Sequence, residues 1–94
     1  MDTLQFTHKK NGVPCTVVDV RTVEEFEAGH IAGSINIPLQ VLEHHFEDFK
    51  HMENLILCCA SGGRSNVAAT VLQRQGIACS NGGPWFAVKQ QLDH

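Results

Sequence analysis

The chain has 94 residues, of which 43% are hydrophobic and 18% are charged. A chain of this length builds one hydrophobic core, so we expect residues 1–94 to form a single domain. The net charge is -3 and the seven lysine and arginine residues are scattered, which argues against a surface for nucleic acid or for anionic membranes.

The N-terminal residues lack both the basic stretch and the apolar stretch of a secretory signal. The longest apolar run, Leu55–Ala60, is too short to span a bilayer. We therefore expect a soluble cytoplasmic protein with no membrane partner, in which Cys15, Cys58, Cys59 and Cys79 are free thiols.

Histidines raise the question of a metal site. His44, His45 and His51 lie in a segment rich in glutamate and lysine, where a solvated helix face is the simpler explanation. The cysteine spacing contains no C-x2-C pair of the kind that structural zinc sites use. We expect no metal and no cofactor.

The first half of the chain predicts strands and a short helix in alternation. Thr16–Val20 is apolar and β-branched, as buried strands are. Thr22-x-x-Glu25 matches a capping box, so a helix is expected over Val23–Ala28, with Gly29 as a left-handed stop. A second short strand is expected at Ile35–Ile37, ended by Pro38, and Leu4–Phe6 is a candidate edge strand.

The second half continues the alternation. Apolar residues at helical spacing predict a helix that docks on a sheet: Leu39, Leu42, Phe46 and Phe49. A third strand is expected at Leu55–Cys58 and a helix at Asn66–Gln75, which Gly76 ends. The remaining expectations are a buried stripe of Val67, Ala68, Val71 and Leu72, a fourth strand at Ile77–Cys79, a turn at Asn81–Pro84, and a C-terminal helix carrying Trp85, Phe86, Val88 and Leu92.

This alternation favours a parallel sheet covered by helices on both faces. Ligands of such sheets bind beyond the carboxyl ends of the strands, and Cys59 follows directly on the third strand. Cys58 would then face the opposite side of the sheet, which favours a core thiol over a resolving cysteine.

The loop Cys59-Ala60-Ser61-Gly62-Gly63-Arg64-Ser65 carries the strongest chemical signal in the chain. Glycines let successive N–H groups point into a concavity, and the helix that follows adds the positive end of its dipole. Together with Arg64, these features are expected to lower the pKa of Cys59 below that of an ordinary thiol. The loop is a candidate cradle for a cysteine nucleophile or for an anion carried on its sulfur.

With these motifs in place, the chain resembles a single-domain rhodanese, a thiosulfate or persulfide sulfurtransferase. The segment Asp19–Pro38 is similar to the family's N-terminal signature, and Cys59-x4-Arg64-Ser65 is similar to its catalytic loop. Gly76 and the pair Gly82-Gly83 resemble its later glycines. The resemblance implies a three-layer α/β fold, with a central parallel sheet of about five strands and helices on both faces.

The resemblance also implies an activity. Cys59 would take a sulfane sulfur as a persulfide from a small donor and pass it to a thiol or cyanide acceptor, and the chain would act as a monomer. Two alternatives stay open: a carrier module that relays sulfur between partner proteins, and a phosphatase or arsenate reductase. The four residues between Cys59 and Arg64 make a ring tighter than the C-x5-R loop of those oxyanion enzymes.

Supporting roles are expected for residues outside the loop. Arg64 either reaches the bound anion or pins the loop through a carboxylate such as Glu25, and we favour the second because a buried arginine needs a partner. Asp19 and Arg21 are expected to have a structural ion-pair or loop-supporting role rather than to contact substrate. His30 is expected to stabilise a turn.

Overall fold

The computed structural model describes residues 6–93. Within them, strands and helices alternate as the sequence predicts, and a 3-10 helix at Leu39–His45 precedes α2. The strands are β1 (His8–Lys10), β2 (Val13–Asp19), β3 (Ile35–Asn36), β4 (Leu55–Cys59) and β5 (Cys79–Pro84), and the α-helices are α1 (Val23–Ala28), α2 (Phe46–Phe49), α3 (Gly63–Arg74) and α4 (Trp85–Gln91).

The five strands form one sheet around β2. On one side, β2 pairs in parallel with β4, which pairs in parallel with β5. On its other side, β2 pairs first with β1 and then, at Val18 and Asp19, with β3. The pairing with β1 is antiparallel, so the sheet is mixed, whereas its other four strands are parallel. The α/β class with a five-stranded sheet is confirmed.

Alternate residues of the strands enter two separate cores. Val18 of β2 and Leu57 of β4 belong to the larger core, which the 3-10 helix, α2 and α3 cover. Val17 and Cys58 belong to a smaller core, which includes Val88 of α4. This period of two is what places helices on both faces.

The bounds of α1 and its capping box agree with the sequence, but the conformation of the residue that follows the helix does not. The Thr22 hydroxyl accepts a hydrogen bond from the Glu25 N–H, and the Glu25 carboxylate accepts one from the Thr22 N–H, as a capping box requires. Gly29, however, has φ 163°, which is extended backbone and not the expected left-handed stop. Its N–H still closes the helix on the Phe26 carbonyl.

Two expectations about α3 are wrong. The helix begins at Gly63 and not at Asn66, because Gly62 takes a left-handed conformation (φ 101°) and serves as the N-cap. Val67 is 50% exposed, so the buried stripe includes Ser65 and Ala69 in its place. Ser65 therefore lies in the first turn of the helix, where it is buried and its hydroxyl lies close to Cys59.

The expected turn at Asn81–Pro84 is instead part of β5. The pairing of β5 with β4 shifts register between Leu57 and Cys58, which pair with Asn81 and Gly83, so Gly82 is the extra residue of a bulge. The turn residues of the sequence therefore mark an irregular strand, which glycine tolerates.

The expected edge strand at Leu4–Phe6 falls mostly outside the described residues. Residues 4 and 5 lie outside the described residues, and Phe6 is not in a strand. The edge is β1, which a turn at Asn11 and Gly12, both with positive φ, joins to β2. No helix within residues 6–93 has the length and apolar character needed to cross a membrane.

Gly82 provides a test of the bulge. A Cβ at this position would lie 2.6 Å from Val88 Cγ2 and 2.8 Å from Ile56 Cγ2, so Gly82→Ala should lower the free energy of unfolding by about 1–3 kcal/mol. Gly63→Ala is the matched control, because a Cβ at Gly63 would meet nothing within 4 Å. The free energy of unfolding of this variant should not fall. Urea unfolding of both variants decides the matter, and equal stabilities would contradict the bulge packing.

Candidate active site

Cys59 is the last residue of β4, at the carboxyl end of the sheet where the sequence places it. Its side chain is 1% exposed and belongs to the larger core, whereas Cys58 belongs to the smaller core on the opposite face. Burial, with the Asp19 carboxylate nearby, raises the pKa of Cys58 to about 12. Cys58 is therefore a core thiol, and the two neighbouring cysteines have separate environments.

The loop after β4 surrounds the Cys59 sulfur with donors. The Gly62 N–H donates to Sγ at 3.0 Å and the Ser65 N–H at 3.4 Å. The Ser65 hydroxyl lies 3.3 Å from the same sulfur. Gly62 allows this arrangement, because its left-handed conformation turns the chain over the sulfur before α3 begins.

These contacts decide the ionisation of Cys59. Burial of the sulfur opposes ionisation, but hydrogen bonds from the Ser65 hydroxyl and from the N–H groups of Ser65, Gly62 and Ser61 outweigh burial, and the pKa of Cys59 is lowered. Cys15 and Cys79 behave in the opposite way, since burial raises the pKa of each. All four thiols are free. Among them, Cys59 is the one suited to act as a nucleophile.

Asn81 of β5 holds the loop from outside, a role that the sequence analysis missed. Its Oδ1 accepts hydrogen bonds from the Ser65 hydroxyl at 2.6 Å and from the Gly83 N–H at 3.0 Å. Its Nδ2 donates to the Gly62 carbonyl at 3.2 Å. The asparagine beside a Gly-Gly pair indicated a turn, whereas in the structure it belongs to β5, where it pairs with Leu57 directly before the register shift.

Arg64 pairs with Glu25 of α1. The guanidinium donates two hydrogen bonds to the carboxylate, at 2.6 and 2.9 Å. These bonds, with that from the Thr22 N–H, lower the pKa of Glu25 to about 2. The pair ties the first turn of α3 to the first turn of α1.

Asp19 and Arg21 form the expected ion pair, at 2.8 Å, but they do not bond to Cys59. Both are buried, and Arg21 also donates to the Gly29 carbonyl and lies over the Trp85 ring at 5.1 Å. They lie beside Cys58, which pairs with Asp19 in the sheet. His30 is bonded to the Phe26 carbonyl at 2.7 Å and stacks on the Phe26 ring, away from the loop.

No cluster of three or more histidine, cysteine, aspartate or glutamate side chains within residues 6–93 is arranged to hold a metal ion. The loop residues Ala60 and Ser61 are exposed, and neither they nor Gly62 and Gly63 carry a charge. The arrangement can therefore stabilise a sulfur anion through backbone N–H groups, without a metal.

The fold and site define a class of protein: an α/β domain whose cysteine, at the end of a central parallel strand, lies under a loop of N–H donors. The chain belongs to the rhodanese-like domain family, whose model matches residues 3–85. The resemblance inferred from the two sequence motifs is confirmed.

Relatives place the chain near sulfur-transfer proteins. It is 37% identical over 61 residues to the Bacillus subtilis protein named "Putative sulfur carrier protein YrkF", covering 65% of this chain and 33% of YrkF. It is 39% identical over 72 residues to thiosulfate sulfurtransferase 16, chloroplastic, of Arabidopsis thaliana, covering 64% of this chain and 60% of that protein. The chain thus spans a third of the first relative and three fifths of the second.

A solved structure supports the fold independently. The crystal structure of a rhodanese-like domain protein from Staphylococcus aureus superposes with a TM-score of 0.74 at 29% identity, covering 88% of this chain and 83% of that chain.

The Arg64–Glu25 pair predicts a pH-dependent contribution to stability. Because the pKa of folded Glu25 is about 2, below its ordinary value of 4.5, the contribution is complete above pH 4.5 and is lost as the pH falls toward 2. Glu25→Gln keeps a side chain that suits a capping box but removes the charge. Its melting temperature should lie below that of the wild type at pH 7, and the difference should shrink toward pH 2.

The control for this comparison is Glu24→Gln, in the same first turn of α1. Thermal unfolding monitored by circular dichroism between pH 2 and pH 7 gives the difference in melting temperature between each variant and the wild type. A constant difference for Glu25→Gln across this range would contradict the ion-pair argument.

Proposed function

We propose that this domain is a sulfurtransferase that carries sulfane sulfur as a persulfide on Cys59. The observation that supports this most is the set of hydrogen bonds from Gly62 and Ser65 to the buried sulfur, which lower the pKa of Cys59. Sulfur transfer needs a thiolate, and it also needs donors around the anionic outer sulfur of the persulfide. Preorganised N–H groups provide both without rearrangement.

The proposed cycle has two displacements at sulfur. The Cys59 thiolate attacks the sulfane sulfur of a donor, a new S–S bond forms at Sγ, and the donor's S–S bond breaks with its electron pair leaving on the donor fragment. A thiol or cyanide acceptor then attacks the outer sulfur, and Cys59 departs as a thiolate. No general base is needed when the thiol is ionised, and the hydrogen bonds that lower the pKa of Cys59 favour the ionised form.

The charges around the loop support a particular class of donor. Both arginines at this end of the sheet are neutralised, Arg64 by Glu25 and Arg21 by Asp19. The loop residues between Cys59 and Arg64 are small and neutral. Thiosulfate is a dianion that would meet a thiolate without a free cation, so we propose that a persulfide on a small thiol or on a partner protein is the better donor.

A sulfur carrier in a protein relay is the second candidate. The name of the YrkF relative, a putative sulfur carrier protein, favours it. A carrier would load sulfur but turn over slowly with cyanide or thiols. Steady-state turnover therefore separates the two candidates. In either role we propose a monomeric cytoplasmic domain whose partners are sulfur donors and acceptors.

A phosphatase or arsenate reductase is less well supported. An oxyanion site of that kind needs a cation to offset the charge of the bound group. The Arg64 guanidinium instead makes two hydrogen bonds to Glu25, and four residues separate Cys59 from Arg64. Activity on an aryl phosphate would revive this candidate.

Sulfur loading is expected to depend on Cys59 alone. After incubation with glutathione persulfide, the intact mass of the wild type should rise by one sulfur atom, and a reductant should remove it. Cys59→Ser should lose this gain, since no thiolate remains at the loop. Cys15→Ala, Cys58→Ala and Cys79→Ala should retain it. Loading of Cys59→Ser to the wild-type extent would refute the assignment.

Donor preference is expected to follow the charge at the loop. The kcat/KM for glutathione persulfide should exceed that for thiosulfate by about tenfold or more, a difference of at least about 1.4 kcal/mol. Glu25→Gln should narrow the ratio, because it leaves the Arg64 cation without its carboxylate partner. Glu24→Gln should not change it. A wild-type preference for thiosulfate would contradict the argument that both arginines near the loop are neutralised.

A further inference from the structure

The Ser65 hydroxyl has one proton and three neighbouring acceptors. Asn81 Oδ1 lies at 2.6 Å, the Gly62 carbonyl at 3.2 Å and Cys59 Sγ at 3.3 Å. A hydroxyl donates one hydrogen bond at a time, although it can also accept. The short contact to Asn81 is therefore in direct competition with the contact to the sulfur.

We propose that Asn81 is a positioning residue for sulfur transfer, which acts on Cys59 through the Ser65 hydroxyl proton that it accepts. The inference rests on the proposed role of Cys59 as the reactive thiol. Asn81 is exposed on β5 and touches the loop only through its amide, so it is not a catalytic residue.

The hydroxyl changes partner with the state of the sulfur. When Sγ carries a proton, the S–H donates to Ser65 Oγ and the hydroxyl donates to Asn81 Oδ1. When Sγ is a thiolate, the hydroxyl turns to donate to the sulfur, and Asn81 Oδ1 keeps the Gly83 N–H at 3.0 Å. The change is a rotation of one O–H bond, and no proton is gained or lost by Ser65.

The persulfide state returns the hydroxyl to Asn81. Once the donor sulfur is attached, Sγ is bonded to two atoms and the negative charge lies on the outer sulfur. Because Sγ no longer carries the charge, it is a weaker acceptor, and the hydroxyl donates again to Asn81 Oδ1. Asn81 thus provides an acceptor in each state in which Sγ has no charge, so that the buried Ser65 hydroxyl never lacks a partner.

Asn81→Asp tests this with a side chain of the same shape, and it also replaces the Nδ2 donor to the Gly62 carbonyl by a carboxylate oxygen. A carboxylate accepts the Ser65 proton more strongly than an amide and withholds it from the thiolate. The other charged groups near Cys59 are the Arg64–Glu25 and Arg21–Asp19 pairs, each neutral as a pair, so the variant adds one net charge. We expect the midpoint of the pH profile for Cys59 alkylation to rise by about one unit.

A double-mutant cycle separates the hydroxyl route from charge alone. The alkylation profile of Cys59, read by mass spectrometry with iodoacetamide, is compared for the wild type, Asn81→Asp, Ser65→Ala and the double variant. Asn81→Asp should raise the midpoint of the alkylation profile by half as much or less when Ser65 is also replaced by alanine, because no hydroxyl remains. Ser80→Asp, on the adjacent exposed residue of β5, is the charge control and should shift the midpoint less than Asn81→Asp.

Two outcomes would overturn the proposal: an unchanged midpoint in Asn81→Asp, or an increment of the same size with and without Ser65. Alkylation requires no sulfur donor, so these outcomes are distinct from a failure of sulfur loading, which would overturn the proposed function instead. The wild-type midpoint should itself lie below that of an ordinary thiol, about 8.5.

Discussion

The arrangement of this site depends most on two opposing effects on the buried sulfur of Cys59, its burial and the hydrogen bonds that it accepts. Burial makes the thiolate costly, and the loop removes that cost by directing the N–H groups of Gly62 and Ser65 at the sulfur. The N–H groups hold this position because Gly62 takes a left-handed conformation and because its carbonyl is bonded to Asn81. Asn81 pairs with Leu57 in the regular part of β5, and after the bulge at Gly82 the Gly83 N–H donates to Asn81 Oδ1, so the bulge belongs to the same arrangement.

The ion pairs explain why two distant parts of the sequence are needed for one site. Glu25 and Arg64 are 39 residues apart, and their pairing fixes α1 against the start of α3. Asp19 and Arg21 form a second pair, which joins the end of β2 to the Gly29 carbonyl. Each pair removes a positive charge from the region of the thiolate. The cost is that the thiolate depends on hydrogen bonds and on the dipole of α3 for its stability.

Much of this could be predicted from the sequence, because it depends on local patterns. The capping box over Thr22 and Glu25, a buried strand that is one residue shorter than the observed β4, and the opposite faces of Cys58 and Cys59 all follow from periodicity and spacing. The role of Asn81 and the course of β5 could not be predicted, because a run of turn-forming residues is compatible with both a turn and a bulged strand. The choice between a turn and a bulged strand depends on how β5 pairs with β4. No local pattern in residues 79–84 predicts that pairing.

Access to the sulfur follows from the same geometry. Under the proposed function, a donor must bring its sulfane sulfur into contact with an atom that is nearly covered by its own loop, so the covering residues decide which donors react. Ala60 and Ser61 are exposed and small, and Gly62 and Gly63 have no side chains. Larger side chains here would screen the thiolate without adding a donor. A Cβ at Gly62 would also lie 3.3 Å from Gly83 Cα and press the loop away from β5. The loop therefore has small residues for two reasons, the approach of the donor and the close packing that orients the N–H groups.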